Sequence, residues 1–329
     1  MISTIYIEEE VREHPRTREI LSRYPKATVL ICQHYKEIFN PAGQSFRLQK
    51  KNPALILAKQ NGKRVHPIPP SYGVGGRHNF YFSHLLNCLY DCRYCFLQGM
   101  YPSAHYLLFV NYEDFAEEIV KTSRKPGEDS WFFSGYDCDS LALESVTGFA
   151  KHFLPVFRNL PQTWLELRTK SVATQILIKT EVMQNVVVAF SFTPEEVSEQ
   201  IEHGVPPVSS RIEAMKQLAE KGWTLGLRID PLIDCNDFES RYRRLFQSIF
   251  DAVPSDSIHS VSLGTFRMPS GFFKKIEKQY PDEPLLSANR ENRKGMISYP
   301  QETESTLREI CKNLLLENVP RQRLFHCET

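Results

Sequence analysis

The chain has 329 residues, 40 Lys+Arg against 39 Asp+Glu, and a formal net charge of +1. Its 41% hydrophobic and 24% charged content is that of a globular protein, long enough for about two domains or one large α/β domain. No apolar run nears the roughly 20 residues of a membrane span, eight cysteines are too sparse for a disulfide framework, and the start, MISTIYIEEEVREHP, lacks a secretory profile, so the reducing cytoplasm is the expected compartment.

Residues 1–75 read as an N-terminal α/β extension. Apolar runs at 27–32 and 54–58 lead into HPIPPSYGVGG, a Pro/Gly-rich loop. From 76 to 268, strand-like and helix-like segments alternate. HNFYFSH (78–84) is an aromatic strand. Residues 111–120 read as a helix that Asn111 could cap, stopped at Pro126-Gly127. A strand at 131–134, a helix over 141–154 and a strand at 164–169 follow. VVVAFSF (186–192) is a buried strand by its β-branched content. Thr193, Pro194 and Glu196 have capping-box spacing, as do Ser210 and Glu213. The second helix places Ile212, Met215 and Ala219 on one face and ends at Gly222. Two more strands come at 223–229 and 261–266. About six βα units argue for a parallel sheet: an α/β, open, partial (β/α)6 TIM-like barrel. Residues 269–329 form a C-terminal segment with a basic, turn-rich stretch (288–296), then a helix with Leu307, Ile310, Cys311, Leu314 and Leu315 on one face.

CLYDCRYC places Cys88, Cys92 and Cys95 directly after the first strand of the alternating region. Thiolate is a soft ligand suited to iron–sulfur clusters or zinc. Three cysteines are one short of a saturated four-ligand site, and an open position on a metal is where substrate or cofactor binds. A [4Fe–4S] cluster on three cysteines leaves one iron free. The competing reading is a structural Cys3His zinc site that recruits His84, against which stands the missing CxxC…CxxC symmetry. Cys311 and Cys32 read as packing residues and Cys235 as a loop residue at the barrel mouth. A second cluster from Cys138, Cys235 and Cys327 is remote, since no compact second motif exists.

The CxxxCxxC spacing, with Tyr94 before the last cysteine, resembles the radical S-adenosylmethionine (SAM) superfamily. Over nearly the whole chain the sequence is similar to the spore photoproduct lyase family. The segments that carry this are IYIEEEVREHP, NCLYDCRYCFLQGMY, LLFVNYEDF, ELRTK, AFSFTPEEV, SSRIEAMKQLAEKGWTLGLRIDPLI, FRMPSGFFKKIEKQYP and the final helix. The resemblance implies a [4Fe–4S] cluster on Cys88, Cys92 and Cys95 and SAM as second cofactor. It implies SAM contacts at Tyr94, Ser134, Gly135, Lys170 and Ser191. The implied partners are damaged DNA and an electron donor such as a flavodoxin or ferredoxin, with no membrane. The implied activity is carbon–carbon bond cleavage that restores two thymines from a UV lesion.

Two positions depart from the family. Its hydrogen-donating cysteine at the end of the second strand aligns with Tyr136, and Cys138 stands two residues on. If the strand continues, Ser134, Tyr136 and Cys138 share a face, so Tyr136 or Cys138 is the candidate catalytic donor. The family tyrosine after the third cluster cysteine is Phe96 here. DNA contact must be local, because net charge is near zero. Three basic groups qualify: Lys59, Lys63 and Arg64; Arg267, Lys274 and Lys275; and Arg290, Arg293 and Lys294. By resemblance Arg290, Arg293 and Lys294 belong to the DNA-facing segment, and Arg267 is a further candidate DNA contact. Two alternatives stay open: a radical SAM enzyme on another substrate, and a zinc-stabilised, non-catalytic nucleic-acid-binding protein.

Overall fold

The computed structural model describes residues 2–69, 72–123 and 129–327. Six parallel strands make the spine, in sequence order: His78–Phe82, Ser130–Ser134, Thr163–Thr169, Val186–Ser191, Thr224–Leu232 and Ile258–Thr265. Neighbours run in register through pairs such as Phe80↔Phe132, Leu165↔Phe132, Leu165↔Val186 and Leu227↔Val261. Val65–Pro67 adds an antiparallel edge and Leu324–His326 a parallel one. The sheet curls into the expected partial barrel. Its central strands are apolar nearly throughout because a parallel sheet is covered on both faces; Val186–Ser191 is buried at every position.

The outer layer is helical. Phe149, Phe153 and Phe157, spaced four apart, are fully buried and pack on Phe82 and Phe132 from the strands. Each such ring is worth roughly 1.5–3 kcal/mol by burial. The final helix, Gln301–Leu316, buries Leu307, Cys311, Leu314 and Leu315 as its periodicity predicts. No helix among the described residues is long and apolar enough to cross a membrane.

A second sheet holds Thr28–Cys32, Thr4–Glu8, Leu55–Ala58 and Tyr106–Phe109 in parallel, with Leu85–Leu86 antiparallel. It is therefore not confined to residues 1–75. The pairing Leu85↔Leu108 closes the base of the cysteine-bearing excursion, so the cysteine loop leaves the barrel and returns through the N-terminal sheet. The apolar run at 27–32 is an edge strand whose Val29, Leu30 and Ile31 are exposed.

Several local expectations are corrected. The helix over 141–154 is two pieces, Glu144–Thr147 and Phe149–Arg158, divided at Gly148 (φ +57°). The Glu144 carboxylate accepts from the amides of Ala150 and Lys151 and so starts the second piece. Neither capping box forms. Glu195–Ile201 follows Pro194 directly while Glu196 pairs with Arg244. Val208–Lys221 starts two residues before Ser210, because the Glu195 carboxylate accepts from Val208 N–H. Asn111 instead bonds both backbone groups of Gln60, which ties the helix Tyr112–Ser123 to the N-terminal sheet. The expected stop at Pro126-Gly127 and residues 70–71 of the linker lie outside the described residues.

In the C-terminal segment, Arg267–Pro269, Met296–Ser298 and Glu291–Arg293 form an antiparallel three-stranded unit. Lys294 (φ 52°) and Gly295 (φ 87°) make the tight two-residue turn between its last two strands, the left-handed pair that such hairpins need.

Candidate active site

The cysteine loop sits at the carboxyl end of the first barrel strand, where functional loops of such sheets gather. Asn87, itself at φ 70°, donates to the carbonyls of Ser103 and His105 and pins the two ends of the loop together. Inside it, Cys95 N–H donates to Cys92 O at 3.0 Å, and Gln98 Nε2 to the same carbonyl at 2.7 Å. Tyr90 N–H points at Cys88 Sγ (3.4 Å). Asp91–Cys92 pairs antiparallel with Glu202–His203, so the middle of the loop is a short strand with a fixed partner.

Burial pushes the Cys88 thiol up to about 12, with Asp139 adding to it. Cys92 and Cys95 are raised by burial too, and Cys92 feels both of the other sulfurs. Hydrogen bonds within residues 88–98 keep the three cysteines in one compact loop. Yet no group of three or more His, Cys, Asp or Glu among the described residues converges on one ion-sized position. The soft donor set, with Cys92 buried and Cys88 and Cys95 half-buried over eight residues, fits an iron–sulfur cluster.

His84 supplies no fourth ligand. It is 1% exposed, stacks on Phe149 at 3.8 Å, and meets Tyr112 edge-on. Burial drops its pKa from 6.5 to about 3. The fold therefore favours the neutral ring; its contribution is complete above the unfolded pKa of 6.5 and is lost as pH falls toward 3. His84→Phe is expected to leave iron content unchanged and to flatten stability between those two pH values, read by urea denaturation across pH. Lost metal would restore the Cys3His reading.

Beside the loop lies a buried ionic knot. Glu202 accepts from Tyr94 OH, Ser198 Oγ (2.7 Å), Arg211 Nη2 (3.1 Å) and Lys170 Nζ (2.9 Å). Burial alone would raise this carboxyl, but Lys170 and Arg211 bring it down to about 2. Lys170 is therefore held by Glu202, and its ammonium lies 5.6 Å over the Tyr94 ring. Ser191 is buried in the next strand, where its carbonyl accepts from Arg211.

The turn after the second barrel strand departs from expectation. The strand ends at Ser134, and Gly135 turns at φ +82°. A Cβ there would lie 2.7 Å from Ser140 Oγ, so the turn requires glycine. Ser134, Tyr136 and Cys138 accordingly do not share a strand face. The Ser134 hydroxyl is satisfied internally by Ser140 Oγ and Glu166 O. Tyr136 is 47% exposed and stacks on Tyr81 at 4.5 Å, with Phe96 at 5.9 Å. The two departures from the family are thus in contact. Cys138 is turned into the core, its thiol held up by burial and by nearby Cys88. Asp137 accepts from Ser83 and Tyr101, while Asp139 accepts from four groups, including Thr169 Oγ1 and Lys170 N–H.

Charges inside the barrel escaped sequence reading. Glu166 is fully buried and bonded by Arg228 and Arg168; burial opposes its charge, but the two guanidinium groups bring it to about 2. Asp230 holds Arg267 through two bonds (2.9 and 3.1 Å). The signal was present: Glu166 and Arg168, and Arg228 and Asp230, stand at i, i+2 in apolar strands, so each pair lies on one face. Cys138, Cys235 and Cys327 do not come together.

Three of the four expected DNA contacts are tied to internal partners. Arg267 pairs with Asp230, Arg290 lies over the Tyr299 ring at 4.0 Å, and Arg293 bonds Glu304 and Ser298. Lys294 alone of the four is exposed, at the hairpin tip. In the first basic group, Lys59 pairs with Glu10 and Arg64 with Asp114.

Comparison with known proteins bears on this arrangement. The sequence model of the family described as spore photoproduct lyase matches residues 1–326. Spore photoproduct lyase of Bacillus subtilis is 23% identical, over 97% of this chain and 96% of its own. That of Clostridium acetobutylicum is 21% identical, over 91% and 89%. Among solved structures, a cysteine-to-serine variant of spore photoproduct lyase aligns with a TM-score of 0.85 at 17% identity, over 100% of this chain and 98% of that one. A double variant with bound AdoMet and dinucleoside spore photoproduct aligns at 0.84 and 18% identity, with the same coverage. The structural likeness carries the fold and the sequence match carries the kinship: this chain belongs to the spore photoproduct lyase family.

Proposed function

We propose that this chain is a radical SAM lyase that reverses a UV thymine lesion of the spore-photoproduct type in DNA. The observation that carries the reading is the pinned loop that gathers Cys88, Cys92 and Cys95 at the barrel mouth, beside the buried knot of Glu202. Related structures that hold AdoMet and the dinucleoside lesion support it. Cys88, Cys92 and Cys95 would hold a [4Fe–4S] cluster, which would supply the electron for reductive cleavage of SAM.

The chain's own residues do the rest. Cys88, Cys92 and Cys95 hold the cluster. Tyr94 and Lys170, fixed by Glu202, border the SAM site, with Ser134, Gly135 and Ser191 on the neighbouring strand ends. Buried Asp137 and Asp139 hold the turn that presents Tyr136. The curled sheet and its aromatic rim shield a reactive species from water. A lesion in a duplex must be flipped to reach the mouth, at a cost of a few kcal/mol. Exposed Lys294, at the hairpin tip, offers a phosphate contact, so binding weakens with salt. A flavodoxin- or ferredoxin-type carrier supplies the electron.

The test is direct. Reconstituted, reduced protein is incubated anaerobically with SAM and a spore-photoproduct oligonucleotide, and restored thymine is measured by chromatography. Thymine is the expected product. 5′-Deoxyadenosine without thymine discards the lesion and keeps the radical enzyme; neither product, at full iron loading, discards both.

The hydrogen donor follows from exposure. Tyr136 faces the mouth whereas Cys138 is packed away. Tyr136→Phe is expected to cut thymine yield per 5′-deoxyadenosine about tenfold, and Cys138→Ala to leave it within about twofold. The opposite pattern gives the role to Cys138.

A further inference from the structure

Two basic helices border the cysteine loop, and the second carries Lys274 and Lys275 of the basic groups named above. The first, Phe46–Lys51, touches it directly: Lys50 Nζ donates to the carbonyl of Cys88. Its Arg47 and Lys51 are exposed, and residues 41–51 contain no acidic side chain. The second, Ser270–Gln279, packs on the short helix Leu97–Met100 that follows Cys95. There Gly99 lies so close to Phe272 that a Cβ would meet its backbone at 2.5 Å, and Gln279 donates to Gln98 O. Lys274, Lys275 and Lys278 on this helix are exposed. None of these exposed lysines is in an ion pair among the described residues.

Within this basic collar stand exposed apolar side chains: Leu48 at 66%, Leu89 at 42% and Met100 at 37%. Leu89 is the residue after Cys88, in the loop itself. A water-facing leucine between half-buried Cys88 and buried Cys92 contributes nothing to the core. Apolar anchors beside an excess of positive charge, in which Glu277 is the one acid on the second helix, are the composition of a small protein-recognition patch.

We propose that this collar is the docking surface for an acidic one-electron carrier protein of flavodoxin or ferredoxin type, which delivers its electron through the Cys88–Leu89 edge of the loop. The proposal rests on the cluster reading above. Electron-transfer encounters are small, short-lived and steered by charge. The site suits that: the positive helices orient an acidic partner, and Leu48 and Leu89 give it a dry contact where the path to the thiols is short.

The test uses the holoenzyme with Lys51→Glu and, separately, Leu48→Asp. Both residues lie on the surface and are neither cluster ligands nor SAM contacts. Binding of oxidised flavodoxin is measured by titration at low and high salt, and SAM cleavage with reduced flavodoxin is compared with cleavage driven by dithionite. Each variant is expected to weaken flavodoxin binding about tenfold, Lys51→Glu also reducing its salt dependence, while dithionite-driven cleavage and the cluster's electron-paramagnetic spectrum stay unchanged. Unchanged flavodoxin affinity in both variants overturns the proposal. So does a selective loss of DNA affinity, which makes the collar a nucleic-acid face. Failure of the unsubstituted holoenzyme to cleave SAM even with dithionite removes the cluster reading itself and the docking surface with it.

Discussion

Cys92→Ala is expected to abolish retention of the iron–sulfur cluster and, with it, all formation of 5′-deoxyadenosine from SAM. Cys92 is the most constrained of the three thiols. Its residue pairs across a two-residue ladder with Glu202, its carbonyl accepts from Cys95 N–H and Gln98 Nε2, and its sulfur senses both other cysteines. Alanine keeps every one of those backbone bonds, so the loop is still built. What disappears is one of only three soft donors, and two thiols do not hold a four-iron cube. Changes one shell out from a metal typically cost 10–100-fold in affinity, and loss of a ligand costs more than about 100-fold. Iron and sulfide content after anaerobic reconstitution, together with the visible absorbance of the cluster, reads the effect. Circular dichroism is expected to stay native. Full iron with undiminished SAM cleavage would remove Cys92 from the ligand set.

The cysteine loop was legible because its chemistry is local: the three donors fall within eight residues, and the strand before them is marked by its aromatic alternation. Strand order was legible for a similar reason, since six apolar runs separated by helical ones admit few topologies. What escaped depends on partners far away along the chain. Arg267, Arg290 and Arg293 look like free positive charge in a basic stretch, but Asp230, the Tyr299 ring and Glu304 engage them in space. The apolar run Thr28–Cys32 looks like core and lies at a sheet edge, because hydropathy does not record whether a neighbouring strand exists. Ser134, Tyr136 and Cys138 were placed on one face by extending a strand through Gly135, where a positive φ ends it. Glu166, Arg168, Arg228 and Asp230 carried a readable sign that was passed over. Charge repeated with period two inside apolar strands has nowhere to go but a shared polar interior.

The second large effect is expected at Glu202, a residue with no motif to announce it. Glu202→Ala removes the only carboxylate between Lys170 and Arg211. Both cations are well buried, Arg211 completely, and breaking a buried pair by deleting one partner costs about 3–5 kcal/mol, because the other charge is left without compensation. The same substitution frees Tyr94 OH and Ser198 Oγ, so the damage reaches the cysteine loop as well as the global fold. Glu202→Gln keeps an acceptor of the same shape and loses only the charge, which separates the two contributions. Acid titration supplies the signature. The folded carboxyl lies near 2 against 4.5 for the free side chain, so its stabilisation is fully present above pH 4.5 and drains away as pH falls toward 2. Glu166 loses stability over the same window, and the wild type alone therefore cannot assign it; the difference between wild type and Glu202→Gln can. That difference, from urea midpoints, is expected to shrink steadily below pH 4.5, and a gap that stays constant would mean the charge of Glu202 contributes nothing. A neutral replacement of the whole knot, Glu202→Leu with Lys170→Met and Arg211→Met, is expected to recover much of the stability lost in Glu202→Ala. It is not expected to recover SAM cleavage, because hydrophobic packing can replace the energy of the knot but not the orientation it gives Tyr94 and Lys170 beside the thiols.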